Sequence, residues 1–448
     1  MEQHHAANAT NGTLERSLGP WMVWGLGVGY VISGMYFGWN LGLPAGGTLG
    51  LAVATAVITV MYVTFTLSYA ELSCAIPKAG GAFDYADRAL GKNWGFIAGL
   101  AQLIEFVFAP PAIAAAIGAY FHIFFPAVSS LAIAIVAYLV FTALNIIGVK
   151  AAASFELLIT ILAVIELLIF AAVTLPHFRL DHFVADPLPN GPLGIFAAIP
   201  FAIWFYLAIE GVANLAEEAV NPTRTLVIGF GSAMATLVAL CALTFFSSIG
   251  VAGWRAIVFA SPGAEPSDSP LPLAMSHLVG TESLLYHILV TIGLFGLIAS
   301  FHGIILAAGR ANLEFGRIGY APRFIGKIHP RFKTPANALI VNMLVGSVAL
   351  MTGKTGQIIT IACFGALLLY IVSMVALFAL RHREPNLARP FRAPGYPVVP
   401  SIALLIAVVS LVAMTVYNLL LAAIFYGMIA AAIGWLQLSR KRGVGEYR

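Results

Sequence analysis

The chain alternates long apolar runs with short polar ones, and the runs have the length of a bilayer crossing. At about 20 apolar residues per crossing, they fall at about 21–43, 48–70, 94–120, 127–147, 154–175, 193–216, 226–250, 284–309, 335–352, 357–380, 399–417 and 420–438. Twelve transmembrane helices are expected. With both ends of the chain on one flank, that flank carries 20 of the 23 Lys and Arg, from Arg16, Lys78 and Arg88 to Lys150, Arg381, Arg389 and Arg442. The other flank holds only Arg179, Arg255 and Lys354. Displacing one span would scramble that split, so the positive-inside rule supports the count and places both termini in the cytoplasm.

Composition agrees. Of 448 residues, 60% are hydrophobic and 9% charged, whereas soluble domains carry about a quarter charged residues. The expected organisation is a cytoplasmic tail over 1–17, a ten-helix core over 18–380, helices eleven and twelve with their preceding loop over 381–438, and a second tail over 439–448. A net charge of +4 sits in short basic loops, which suits topology and anionic lipid and gives no reason to expect nucleic acid. Loop 310–334 is read the same way, and loops 177–192 and 251–283 as connectors. Cys74, Cys241 and Cys363 are too dispersed for a disulfide framework or a metal spacing, so neither metal nor cofactor is expected. The start of the chain has no signal-peptide pattern. The glycosylation patterns at Asn8 and Asn11 precede the first span on the cytoplasmic side and are taken as chance.

Two spans are unusual. The first, from Trp24 to Gly38, contains five glycines and Ser33, each glycine weakening an isolated helix by roughly 1 kcal/mol. Either small residues spaced by four pack helices closely, or the helix opens where a pocket receives its free backbone groups. The sixth, Ile203 to Asn214, sets Trp204, Phe205, Tyr206, Glu210 and Asn214 in an apolar run. Five helices separate the two, as in paired inverted repeats with broken helices at corresponding positions, and that favours a pocket.

Few acidic residues lie inside spans: Glu105, Glu156, Glu166 and Glu210, with Glu71 near the end of the second. Each costs about 2.5–3.5 kcal/mol at mid-membrane on insertion scales. No Lys or Arg lies at mid-span to offset this, so these groups hold protons or await a cation. Among nearby rings, Trp204 is the first choice to face that cation, with Tyr36 and Tyr206 behind it. His302, inside the eighth span, is a secondary proton-carrying candidate.

Four segments resemble the amino acid–polyamine–organocation transporters: Glu71 to Phe83, Ala216 to Pro222, Gly309-Arg310 with Gly319 to Pro322, and Arg389 to Pro397. Gly27 to Asn40, with Gly46-Gly47-Thr48, looks like the ethanolamine permease branch. The resemblance implies an all-α integral membrane protein with a LeuT-like 5+5 inverted repeat, broken helices one and six, and a substrate site between them working by alternating access. It sets Ser33, Gly34 and Met35 where amino acid carriers show Gly-Ser-Gly. Met35, and Ala208 in place of the usual second-break glycine, disfavour close approach of a substrate carboxylate, while Glu105 falls at a helix-three position that faces substrate in relatives. A lysine found on helix five of some relatives is replaced by Ala163, with Glu166 one turn on. Glu210 matches an acidic position that couples protonation to gating and is the preferred coupling residue, with Glu166 second.

The expectation is a bacterial inner-membrane permease, not an enzyme, importing a small cationic amine such as ethanolamine with protons. Ser33, Gly34, Met35, Tyr36, Glu105, Trp204, Tyr206 and Ala208 are its substrate-binding candidates. The nearest alternative is an amino acid permease or exchanger; a membrane-embedded enzyme or sensor is remote.

Overall fold

The computed structural model describes residues 16–148 and 152–441. The patterns at Asn8 and Asn11, most of tails 1–17 and 439–448, and Lys150 and Arg442 lie outside the described residues.

Among the described residues every regular element is helical, and two isolated β-bridges join Leu18 with Ala219 and Phe259 with Pro266. The first expected crossing is divided into α1 (Pro20–Val31) and α2 (Ser33–Tyr36), and a 3-10 turn, Trp39–Gly42, leads into α3 (Leu43–Ala75). Then come α4 (Ala82–Leu90), α5 (Lys92–Phe124), α6 (Ser130–Ile147) and α7 (Ala152–Thr174). The connector after α7 contains α8 (Leu180–Phe183), and the sixth expected crossing opens with α9 (Gly194–Ala197). The sixth expected crossing is divided into α10 (Ile199–Trp204) and a 3-10 segment, Ile209–Leu215. Following α11 (Pro222–Ala252), the second connector folds into α12 (Trp254–Val258) and α13 (Pro270–Val279). The chain ends with α14 (Leu284–Ile318), α15 (Ala336–Leu350), α16 (Thr355–Arg383), α17 (Val398–Tyr417) and α18 (Leu419–Lys441).

Nine helices among the described residues are long and apolar enough to cross a membrane: α3, α5, α6, α7, α11, α14, α16, α17 and α18. The remaining expected crossings are the two divided ones and the 15-residue α15. This is a multi-pass membrane protein. Of the most apolar stretch in α5 and in α16, 78% is buried, against 22% in α18, so α5 and α16 form the centre of the bundle and α18 its rim. Between α3 and α5, α4 buries Ala82, Tyr85, Ala86 and Ala89 and turns Asp84, Asp87 and Arg88 outward, the spacing of a helix lying along a surface.

The motif segments meet at the basic end of the bundle. Buried Glu71 accepts from Arg381 Nε (2.8 Å) and Nη2 (2.5 Å) and from the Ala393 amide (2.7 Å), and Arg389 Nε lies 3.3 Å from its Oε1. Beside it, Asn214 donates to the Ala79 carbonyl (2.6 Å) and Glu217 accepts from the Ala79 amide (3.0 Å). Arg310 reaches Glu218 at 3.2 Å. At the opposite end, Asn40 donates to the Ser267 carbonyl (2.8 Å) and Thr355 to the Asp268 carboxylate (2.9 Å), tying the second connector to the end of helix one and the start of α16.

Two outcomes are expected. Glu71→Ala removes the one carboxylate that Arg381 and Arg389 share and should destabilise the fold by about 3 kcal/mol, read as a lowered thermal midpoint in detergent, with Glu71→Gln falling between it and the unaltered protein. Burial pushes the Asp268 carboxyl up to about 6 against the pull of Thr355. A carboxyl that holds its proton more tightly folded than unfolded contributes stability that is complete below about pH 4 and lost as pH rises through about 6. The thermal midpoint should therefore fall less steeply across that window in Asp268→Asn.

Candidate functional site

Helix one is interrupted by a side chain from another helix. Ser300 of α14 donates to the Gly29 carbonyl (2.6 Å) and accepts from the Ser33 amide (3.0 Å). Gly29 O and Ser33 N are the i and i+4 partners of one helical hydrogen bond, so the hydroxyl is inserted into the ladder, a recognised cause of a kink. The expected break at Ser33 to Met35 is thus a gap at Ile32 followed by the short helix α2. The chain then turns extended at Phe37 (φ −161°) and reverses at Gly38 (φ +87°). Trp39 Nε1 closes this turn on the Met35 carbonyl (3.1 Å).

Helix six breaks where α10 ends. Ala208 stands in the left-handed region, φ 77° and ψ 10°, a conformation costing a non-glycine residue about 1–2 kcal/mol. Its amide donates to the Glu105 carboxyl, Oε1, at 3.1 Å. The carboxyl groups of Glu105 and Glu210 adjoin one another, and both side chains are 0% exposed. One oxygen of each, Glu105 Oε2 and Glu210 Oε1, receives no hydrogen bond from any other group, and the two carboxyls stand within hydrogen-bonding reach of one another. Glu210 Oε2 accepts from Tyr370 (2.9 Å), whose hydroxyl meets that of Tyr62 (3.1 Å). The two interruptions lie back to back: a β-carbon on Gly34 would collide with the Trp204 carbonyl oxygen, and Trp204 Nε1 donates to the Phe37 carbonyl (3.0 Å).

The sequence candidates are only partly gathered. Ser33, Gly34, Met35, Trp204, Ala208, Glu105 and Glu210 surround the two interruptions. Tyr206 turns away, its hydroxyl 2.7 Å from that of Thr59 on α3. Tyr36 points toward α7, donating to the Ala163 carbonyl (2.9 Å) and standing beside Glu166. His302 Nδ1 lies 3.5 Å from Glu156, so those two form a separate pair between α14 and α7. Ser300, Tyr62 and Tyr370 belong to the site without having stood out along the chain. A serine in an apolar run carries no distinguishing signal, whereas the position of two tyrosines deep in spans, away from the interfaces where tyrosine concentrates, is the signal that could have found them. Among the described residues no group of three or more His, Cys, Asp and Glu side chains is placed to hold a metal.

Divided helices meeting over buried, unpartnered carboxyl groups in a multi-pass bundle have the build of a membrane carrier, in which irregular backbone at depth lines a ligand site. The chain belongs to the amino acid permease family, whose model matches residues 18–437. It is similar to an uncharacterised transporter of Rhizobium meliloti, 28% identical over 407 residues, covering 88% of this chain and 85% of that protein. The branched-chain amino acid permease BcaP of Bacillus subtilis is 24% identical over 427 residues, covering 89% and 88%. The serine/threonine exchanger SteT of the same species is 26% identical over 347 residues, covering 75% and 76%.

Removing the inserted hydroxyl tests the helix-one gap. Ser300→Ala leaves a buried amide and carbonyl to pair directly or go unsatisfied, a cost of about 1–3 kcal/mol. Uptake in vesicles should fall at least several-fold, and Ser300→Thr, which keeps the hydroxyl, should retain most of it. Equal uptake by both variants would show that the hydroxyl does not set the gap.

Proposed function

We propose that this amino acid permease family member is a secondary carrier whose substrate presents a primary ammonium group to Glu105 and is moved by alternating access. The observation that carries this reading is the Glu105 carboxyl, fully buried at the helix-six interruption, with one oxygen unpartnered and Glu210 in place of a basic residue at its side. An ammonium group brings both the positive charge and the hydrogen-bond donors that this pair lacks. In its absence, a proton held between the two carboxyls relieves their repulsion, since neighbouring carboxylates disfavour joint ionisation. Glu210 is accordingly the first coupling residue, with Glu166 and His302 as secondary ones. Twelve crossings in a 5+5 inverted repeat, with both termini cytoplasmic in a bacterial inner membrane, complete the proposal.

Two substrate classes satisfy the ammonium requirement, and each has its own support. The relatives' names, a branched-chain amino acid permease and a serine/threonine exchanger, favour an amino acid. The local backbone favours a cationic amine such as ethanolamine. The Ser33 amide is taken by Ser300, the Met35 amide by Ile32 O (2.9 Å) and the Ala208 amide by Glu105, which leaves few free donors for a substrate carboxylate.

Proteoliposomes loaded with the purified protein decide between them. Labelled ethanolamine, serine and a branched-chain amino acid should be offered separately, with and without an imposed pH gradient. Glu105→Gln should weaken equilibrium binding of the accepted substrate at least tenfold, about 1.4 kcal/mol or more, with the thermal midpoint little changed. Undiminished affinity in that variant would place the ammonium elsewhere.

A further inference from the structure

Between the Glu105 pair and the basic end of the bundle, helix six carries one neutral side chain that uses both ends of its amide. Asn214 stands four residues after Glu210 in the same 3-10 segment. Its oxygen accepts from Gln102 of α5 (3.2 Å), and its nitrogen donates to the Ala79 carbonyl (2.6 Å) in the turn between α3 and α4. Gln102 and Glu105 lie three residues apart on α5 and so share a face. Helix α5 therefore meets helix six on two rungs, Glu105 with the Ala208 amide (3.1 Å) and, nearer the basic end, Gln102 with Asn214. Beyond the lower rung the start of helix one and the end of helix six are joined by backbone: the Leu18 amide donates to the Glu218 carbonyl (3.0 Å), and the Val220 amide to the Leu18 carbonyl (3.1 Å). Side-chain bonds from helix six then fix this joined pair to its surroundings. Those of Glu217 to the Ala79 amide (3.0 Å) and of Glu218 to Arg310 (3.2 Å) are exposed and exchange readily for water. Asn214 makes the two that are partly shielded.

We infer that Asn214 is a positioning residue for transport: it latches the joined ends of helices one and six shut against α5 and the Ala79 turn, and it lets go when a substrate parts Glu105 from Glu210. The inference rests on the carrier reading and adds to it the residue that passes occupancy of the site to the basic end, the cytoplasmic one in the proposed orientation. An ammonium group seated between the two carboxyls separates α5 from helix six at the upper rung. One face of one helix carries that displacement to Gln102, and a hydrogen bond already at 3.2 Å has little slack before it fails. Neither Asn214 nor Gln102 titrates, so the latch answers to displacement and not to pH. Asn214 does not touch the open carboxyl oxygens, so its loss should alter movement of the substrate more than its binding.

Amide hydrogen exchange of the full-length protein in detergent provides the test, followed over 211–219 and 79–83 by mass spectrometry. Equilibrium binding and proteoliposome uptake of ethanolamine, serine and a branched-chain amino acid are measured alongside. In the unaltered protein, exchange over both stretches should quicken several-fold when the probe that binds is added. Asn214→Ala should show the faster exchange with no probe present and gain little more on adding one. It should bind that probe with nearly unchanged affinity and lose most net uptake. Gln102→Met keeps the side chain's length without its donor; it should act in the same sense more weakly, and it keeps the test open if Asn214→Ala does not fold. Slow exchange or intact uptake in both variants would overturn the latch and leave the carrier reading standing, as would a bound probe that changes neither stretch in the unaltered protein. Affinity lost in step with uptake would also overturn it, by making Asn214 part of the binding site or of the fold. If none of the three probes binds, the carrier reading falls and the latch with it.

Discussion

The structure turns on a reciprocal need between a backbone amide and a carboxyl group. An interrupted helix inside a membrane bundle exposes amides that have no water to meet them, and a buried carboxyl needs donors to be tolerated there. Ala208 and Glu105 answer each other, yet incompletely: one amide serves one oxygen, and the second oxygen of Glu105 remains open. The same holds across the pair, since Tyr370 satisfies one oxygen of Glu210 and leaves the other bare. A site finished on one side and unfinished on the other suits a guest that comes and goes.

The other interruption is managed differently. Helix one is opened by the Ser300 hydroxyl, which takes both the carbonyl and the amide that it separates, so that gap is internally satisfied. The small residue at Gly34 then lets the two interruptions approach until backbone meets backbone. Away from the site, charge is met in the ordinary way. Glu71 is clasped by Arg381 and Arg389 and capped by the Ala393 amide, which binds α3 to α16 and the loop beyond it. Glu71, with its basic partners, holds the bundle at one end, whereas Glu105 and Glu210, with none beside them, lie at the helix interruptions.

How much of this was legible in the sequence follows from the range of each interaction. Crossings were readable because an apolar run of sufficient length fits little besides a bilayer, and the division of helix six because Glu210 and Asn214 break an apolar period locally. Glu105 stood out as a charge without a local partner. Its approach to Glu210 was not readable, since it depends on how α5 lies against a segment about a hundred residues on. Tyr36 and Tyr206 lie at the expected depth but extend to α7 and α3, because a long side chain's direction is set by its helix's rotation in the bundle. Ser300 was invisible for the opposite reason: a small hydroxyl among apolar neighbours gains meaning only from the carbonyl and amide it touches. The grip of Arg381 and Arg389 on Glu71 spans some three hundred residues, and only the assembled bundle reveals it.

The central claim is that a cationic group from outside completes Glu105. Its most direct test is an experimental structure of the protein with a transported amine or amino acid bound, at a resolution that locates the ligand nitrogen. That nitrogen should lie within hydrogen-bonding distance of the Glu105 carboxyl, between the two helix interruptions. A ligand nitrogen bound elsewhere while Glu105 is satisfied by a protein side chain would contradict it.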